Sequence, residues 1–336
     1  MKGSLIRLNS IIRCAGSVVG RKEHNGPLGA FFDMHDEEDR FGQKTWERAE
    51  AEMQRLAANV ALSKGGFEEN DIDVILAGDL INQCTSSAYG LLDFNIPYLG
   101  LYGACSTAAE SLLLSSCLCS TGIYERCLAV TSSHNCSAER QFRTPLEYGA
   151  QRAPTAQWTV TGAGAFIVEG ARDENAHGKA RIIEGMPGIS IEKGIRDAGN
   201  MGAAMAPAAL DTLLRYFAES NTSPEQFDLI VTGDLGYEGN SILKDLLKTE
   251  GINADAVLND CGMMMFSQNT QDTHAGGSGC GCSATVLASY LLPKLEDGSL
   301  NDILFIGTGA LMSPDSIKQG LGIPGIAHLV RIKGGN

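Results

Sequence analysis

The sequence predicts an α/β protein built as a duplicated αβαβα stack of five layers with pseudo-two-fold symmetry. Three observations carry this. The stretch "DIDVILAGDL" at 71–80 returns half a chain later as "FDLIVTGDL" at 227–235, each a short apolar strand closing on Gly-Asp-Leu. Each copy is preceded by a helix-patterned stretch, and each is followed by a turn of small residues that opens a second helix. Strands alternating with helical patterns imply βαβ units on mostly parallel sheets, and a duplicated set implies two such sheets packed together.

In the first half, taken as 1–175, the helical pattern runs over 45–66 and the strand over 71–80. A further helical segment leads to a strand and turn in "LGLYGACSTAAESLLLSS" at 99–116, then to the apolar strand "RCLAVTSS" at 126–133. The second half, 176–336, repeats the order with "APAALDTLLRYFAES" at 206–220, the strand at 227–235, "HAGGSGCGCSATVLASYLL" at 274–292 and "DILFIGTGAL" at 302–311. Small residues at 103–109 and 275–285 suit helices squeezed between two sheets, where backbones approach closely. One segment, 134–158, has no counterpart. It reads as an excursion from the fold before the strand "TVTGAGAFIVEG", and its length suits a functional loop.

At 336 residues, 43% of them apolar, the chain is long enough to bury a sizeable core. Its net charge of −14 argues against broad electrostatic capture of nucleic acid or an anionic membrane, so an anionic ligand needs a focused site. Ten cysteines without a signal peptide or extracellular spacing are expected to be reduced thiols in a cytosol-like compartment. The pairs Cys117/Cys119 and Cys280/Cys282 lack histidines at zinc-site spacing, so no metal is expected. No apolar run approaches the roughly 18 residues of a membrane span.

Sites in open α/β folds lie at the carboxyl ends of strands, and Cys105 sits at such an end, between a glycine turn and a buried helix. A strand, Gly-Ala-Cys-Ser and a buried helix in a duplicated chain resemble the nucleophile position of the thiolase and ketoacyl synthase superfamily. There a helix N-terminus lowers the thiol pKa and histidines complete acyl transfer. The blocks "GPLG" at 26–29, "AGDLINQ" at 77–83, "GACST" at 103–107, "TSSHN" at 131–135, "AERQFRTPLEYG" at 138–149, "MGAAMAPAALDT" at 201–212, "ILKDLLKTEGIN" at 242–253, "NDCG" at 259–262 and "AGGSGCGCSA" at 275–284 together resemble the SpoVAD family of stage V sporulation proteins.

That resemblance implies a thiolase-like fold, binding of dipicolinic acid, and support for its passage from mother cell to forespore with other SpoVA proteins. It also implies a homodimer, a place on the cytoplasmic side of the forespore or spore inner membrane through partners, and no nucleic acid. Matched against the condensing-enzyme pattern, the catalytic histidine falls on Asn259 and the second catalytic position on Ser278, while "GTGAL" at 307–311 lacks the thiolase acid–base cysteine. Cys105 is then a vestigial nucleophile position and the site a binding pocket. His274, a few residues before Ser278, keeps open the alternative of a Cys-dependent acyltransferase or condensing enzyme acting on a CoA thioester.

Dipicolinate is a planar aromatic dianion that calls for cationic or N–H donors and an apolar slot. The helix start after Cys105 and the side chains of His134, Asn135, Arg140 and Arg143 are the candidate donors, in a basic cluster that also holds Arg152. Alternatives stand beside them: Arg140 and Arg143 as partners of Glu139 or Glu147 at a subunit interface, and His134 as a satisfied core histidine. The repeated Asp79 and Asp234 read as helix caps. No calcium loop is present, so Ca²⁺ is expected only as a chelate with dipicolinate, with no cofactor of the protein's own.

Overall fold

The structure, a computed structural model, describes residues 4–142, 152–172 and 176–335. Ten strands carry the architecture. In the first half these are β1 (Ile6–Gly20), β2 (Val74–Gly78), β3 (Tyr98–Gly100), β4 (Arg126–Ser133) and β5 (Gly162–Gly170), in spatial order β3-β2-β4-β5-β1. In the second they are β6 (Arg181–Met186), β7 (Leu229–Thr232), β8 (Leu258–Asp260), β9 (Asp302–Ala310) and β10 (Gly325–Lys333), in order β8-β7-β9-β10-β6. Adding five to every number of the first order yields the second, so the repeat of Gly-Asp-Leu turns marks a repeat of whole topology.

Each half is mixed rather than mostly parallel. β2 pairs in parallel with β3 and β4, whereas β5 and β1 join antiparallel, and β7 to β10 and β6 do the same. The two halves also share a hydrogen-bonded seam, with β1 antiparallel to β6 through pairs such as Ile6 with Gly185 and Ile11 with Arg181.

Helices α1 (Trp46–Gly65), α2 (Thr107–Ser120), α3 (Asn135–Phe142), α4 (Met201–Ser220), α5 (Gly236–Thr249) and α6 (Cys280–Val286) fill the remaining layers. α1 lies against β1, β4 and β5, while α4 lies against β9 and β10. α2 touches β1, β4 and β5 of one half and β9 and β10 of the other, and α6 packs beside it, so these two form the middle layer. Composition follows position. α1 buries the stripe Ala49, Met53, Ala57 and Ala61 at four-residue spacing, starts where the Thr45 hydroxyl accepts the Arg48 N–H and stops at left-handed Gly66. α2, sheathed on both sides, is buried nearly all round and uses Ala108, Ala109, Ser115 and Ser116 to admit its neighbours.

α4 starts at Met201, five residues before the sequence pattern places it. Asn200 accepts the Ala203 N–H as its cap, and the helix runs through Pro207. The 134–158 excursion opens as α3 and closes on the short strand Trp158–Thr159, which pairs with Gly277–Ser278 of the second half.

Candidate functional site

The carboxyl ends of β2, β3 and β9 meet the start of α2, one face of α3 and the segment 152–159 around a cavity of about 220 Å³. Cys105 lines it from the elbow between β3 and α2. Ala104 holds the elbow's left-handed turn at φ 51°, and β9 comes so close that a Cβ on Gly309 would stand 2.4 Å from the Gly103 carbonyl oxygen. The first two N–H groups after Cys105 are consumed within the elbow: Ser106 donates to Gly103 O and Thr107 to Ala104 O. They are therefore not available to an anion in the cavity.

Beside the thiol stands a carboxyl group. Ser278 Oγ lies 3.9 Å from Cys105 Sγ and donates to Asp234 Oδ2 at 3.0 Å, and Asp234 also accepts from Gly279 N–H at 2.8 Å and Thr308 Oγ1 at 2.8 Å. Burial pushes the Cys105 thiol well above its usual range, and the Asp234 charge adds to the shift. Burial likewise raises Asp234, against the pull of the Gly279 N–H and the hydroxyls it accepts. The thiol therefore keeps its proton, and no histidine is among the described residues lining the cavity. A nucleophilic cysteine needs the opposite, a cationic neighbour or a base.

The family model for stage V sporulation protein AD (SpoVAD) matches residues 3–333. A curated stage V sporulation protein AD from Bacillus subtilis (strain 168) is 44% identical over 317 residues, covering 94% of this chain and 92% of its own. The chain belongs to the SpoVAD family. Among solved structures it resembles OleA of Xanthomonas campestris, with a TM-score of 0.60 and 15% identity across 96% of this chain and 97% of that one. It also resembles the 3-oxoacyl-(acyl carrier protein) synthase III FabH of Xanthomonas oryzae, at TM-score 0.59 and 15% identity across 96% and 99%. The fold of this SpoVAD family member is thus thiolase-like, shared with condensing enzymes.

Of the residues singled out as ligand-binding in the sequence, the structure brings Cys105 and Ser278 together in the cavity wall and places His134, Asn135, Arg140 and Asn259 elsewhere. His134 is a satisfied core histidine: its Nδ1 accepts the Cys136 N–H, its Nε2 donates to Asp39 O at 2.7 Å, and burial lowers its pKa. Asn135 is spent on the start of α3, with its N–H on Thr161 Oγ1 and Nδ2 on Thr159 O. Arg140 leaves the cavity and pairs with Glu47 of α1, not with Glu139. Asn259 sits on the edge strand β8, where its Oδ1 accepts the Asp260 N–H, so the position beside the thiol belongs to Asp234. Arg143 lies outside the described residues. His274 is held outside the cavity wall by Ala153 O and Asp272.

Sequence reasoning treated Asp234 as a cap like Asp79. Asp79 does bind its own turn, taking Ile81 N–H and the N–H and hydroxyl of Ser87. The signal that separates them is local: eight residues on, Asp79 finds Ser87, while Asp234 finds Ile242 and must look across the structure for donors. Arg152, which the sequence offers only as one of a basic cluster, is the cation in the cavity wall among the described residues.

Among the described residues no group of three or more His, Cys, Asp or Glu is placed to hold a metal ion, and all ten cysteines are free thiols. No described helix is long and apolar enough to cross a membrane.

Proposed function

We propose that this chain binds dipicolinic acid, alone or as its calcium chelate, in the cavity at Cys105 without transforming it, and so supports dipicolinate uptake into the developing forespore. The observation that carries this is a buried thiol held protonated beside the Asp234–Ser278 carboxyl–hydroxyl couple, with no histidine among the described lining residues where the condensing-enzyme pattern has one. Membership of the SpoVAD family supports the ligand. So does size: about 220 Å³ is below the roughly 300–1,000 Å³ of sites for drug-sized molecules and suits a single substituted ring. With a net charge of −14, the chain is expected to reach the membrane through other SpoVA proteins rather than by direct adhesion to an anionic leaflet. Pairing of two copies is best accommodated at the free edge of β3, where Tyr98 and Leu99 are exposed, and sedimentation of the isolated chain tests it.

Calorimetric titration with dipicolinate, with and without Ca²⁺, tests the ligand; absence of saturable heat in both removes it. Incubation with acyl-CoA thioesters followed by intact mass tests the absence of chemistry. No adduct is expected, and a stable acyl group on Cys105 would establish the acyltransferase alternative that the enzymes of this fold represent.

A further inference from the structure

We propose that Arg152 is the residue that fixes a carboxylate in this cavity, so that the site selects planar aromatic carboxylates through one guanidinium fork at one end. Arg152's role rests on the cavity being a binding site rather than a reaction site. The side chain is only 6% exposed, yet its one acidic partner among the described residues, Asp272, is 77% exposed and engages only one end of the fork. Nη2 donates to Asp272 O at 2.9 Å and lies 3.3 Å from Asp272 Oδ2. Nη1 is buried without a hydrogen-bond partner among the described residues, although Arg152 lines the cavity.

A buried guanidinium nitrogen with no acceptor is a costly arrangement that a ligand oxygen would relieve. The fork is also held in place. Its plane stands over the Trp158 ring at 4.8 Å, and Lys22 Nζ, 3.7 Å from the centre of the same ring, donates to the same Asp272 carbonyl. Two cations thus share one tryptophan and one solvated acid. Glu139, the other charged residue among the described ones in the wall, accepts the Thr159 hydroxyl. From Arg152 the wall continues through Ala156, Ala138, Phe142 and Leu80 toward Cys105, an apolar slot for a ring whose carboxylate lies on the fork. Arginine rather than lysine suits this, since its planar donors match both carboxylate oxygens.

Titration of the whole chain with dipicolinate, isophthalate, picolinate and pyridine, in wild type, Arg152→Gln, Arg152→Lys and Arg140→Gln, tests the assignment. Arg152→Gln is expected to weaken the carboxylates by about 10- to 100-fold and leave pyridine, itself feeble, unchanged. Arg152→Lys should fall between, and Arg140→Gln should match wild type. Should Arg152→Gln fail to fold, phenylglyoxal modification of Arg152 in the wild-type chain, read by peptide mass, replaces it: a bound carboxylate should slow modification severalfold. Wild-type carboxylate affinity in folded Arg152→Gln, or no protection of Arg152, overturns the role of Arg152 while leaving dipicolinate binding standing. Loss of dipicolinate alone from the set, with another carboxylate bound through Arg152, overturns the dipicolinate function and keeps the anchor. Binding of no carboxylate overturns both.

Discussion

The two Gly-Asp-Leu turns are copies in sequence and in topology, yet they do different work. Asp79 folds back on its own turn and shares a buried polar network with Glu50, Gln54, Ser87 and Ser132 of the first half. Asp234 leaves its turn to others: Asp260 takes the Leu235 and Gly236 N–H groups, which frees Asp234 to bind Ser278, Gly279 and Thr308 beside Cys105. The Gln54 amide that closes the first network has its nearest counterpart in Gln157, whose Nε2 donates to the Asp234 and Gly277 carbonyls. Duplication supplied two equivalent sheet ends. The carboxyl group that stands beside the cavity thiol is the one that a second carboxylate relieved of capping.

The glycines before these aspartates offer the sharpest way to break the equivalence. A Cβ on Gly78 would stand 2.2 Å from Leu101 O, a backbone atom that cannot give way, whereas on Gly233 the nearest atom is Thr308 N at 3.1 Å. Gly78→Ala is therefore expected to cost about 3 kcal/mol, at the upper end of overpacking, and Gly233→Ala less than about 1. Thermal melting checks both, at roughly 1–2 °C per kcal/mol for a chain of 336 residues. Equal losses would show that the two turns are packed alike after all.

How far the molecule is legible in its sequence follows from the same contrast. The duplicated strands and the helices before them stand out because each copy vouches for the other. β1, the longest strand among the described residues, does not, because it is buried on both faces from Cys14 to Gly20 and so shows no in–out alternation there. In the site, Cys105 and Ser278 are marked by their small-residue turns. Arg140 is misplaced because 134–158 reads as a loop. Once the segment is known to begin as α3, its 3.6-residue period puts Ala138, Glu139 and Phe142 on the cavity and Arg140 on the opposite face, toward Glu47. Asp234 reaches the Cys105 thiol from the second half and Arg152 reaches the cavity from the far end of the excursion; the sequence around Asp234 shows that it lacks the serine that holds Asp79, not where it finds its donors.

The second acids of the two networks sharpen the comparison next. Asp260 accepts backbone N–H groups from Leu235, Gly236 and Met263 as well as the Thr232 hydroxyl, while the Glu50 carboxyl accepts from the hydroxyls of Ser132 and Ser137. An amide cannot accept at both ends, and backbone donors cannot reverse as hydroxyls can. Asp260→Asn should orphan at least one N–H and cost about 2 kcal/mol. Glu50→Gln should stay within about 1 kcal/mol of wild type near pH 5.

At higher pH the sign changes in favour of Glu50→Gln. Burial, and then the Asp79 charge, push Glu50 from its ordinary 4.5 up to about 8. Between those values the unfolded chain releases the proton and the folded chain keeps it, so this group makes stability fall as pH rises and the fall ends near 8. Melting temperatures should therefore decline less from pH 5 to pH 8 in Glu50→Gln than in wild type. A parallel decline in the two proteins would remove the assigned burden from Glu50.

The smallest effects should separate the two cysteines that open the middle helices. Cys280 is wholly buried and its thiol donates to Ser132 O at 2.9 Å, so Cys280→Ala loses a hydrogen bond and leaves a closed void. Cys105 has the 3.9 Å contact with Ser278 and, beside it, the neighbouring Asp234 carboxyl group, and its thiol borders space that is already empty. Truncation there enlarges the cavity without sealing a new one, so Cys105→Ala should cost less than about 1 kcal/mol, against about 1–2 for Cys280→Ala. Iodoacetamide distinguishes them in the native chain. Both thiols are held protonated and should react slowly, but Cys105, reachable from the cavity, should be labelled before Cys280, and a ligand in the cavity should delay it further. Melting and labelling on one preparation make the test complete. A large loss of melting temperature in Cys105→Ala, with labelling no faster than at Cys280, would make Cys105 a core residue like its counterpart and take the cavity out of the function.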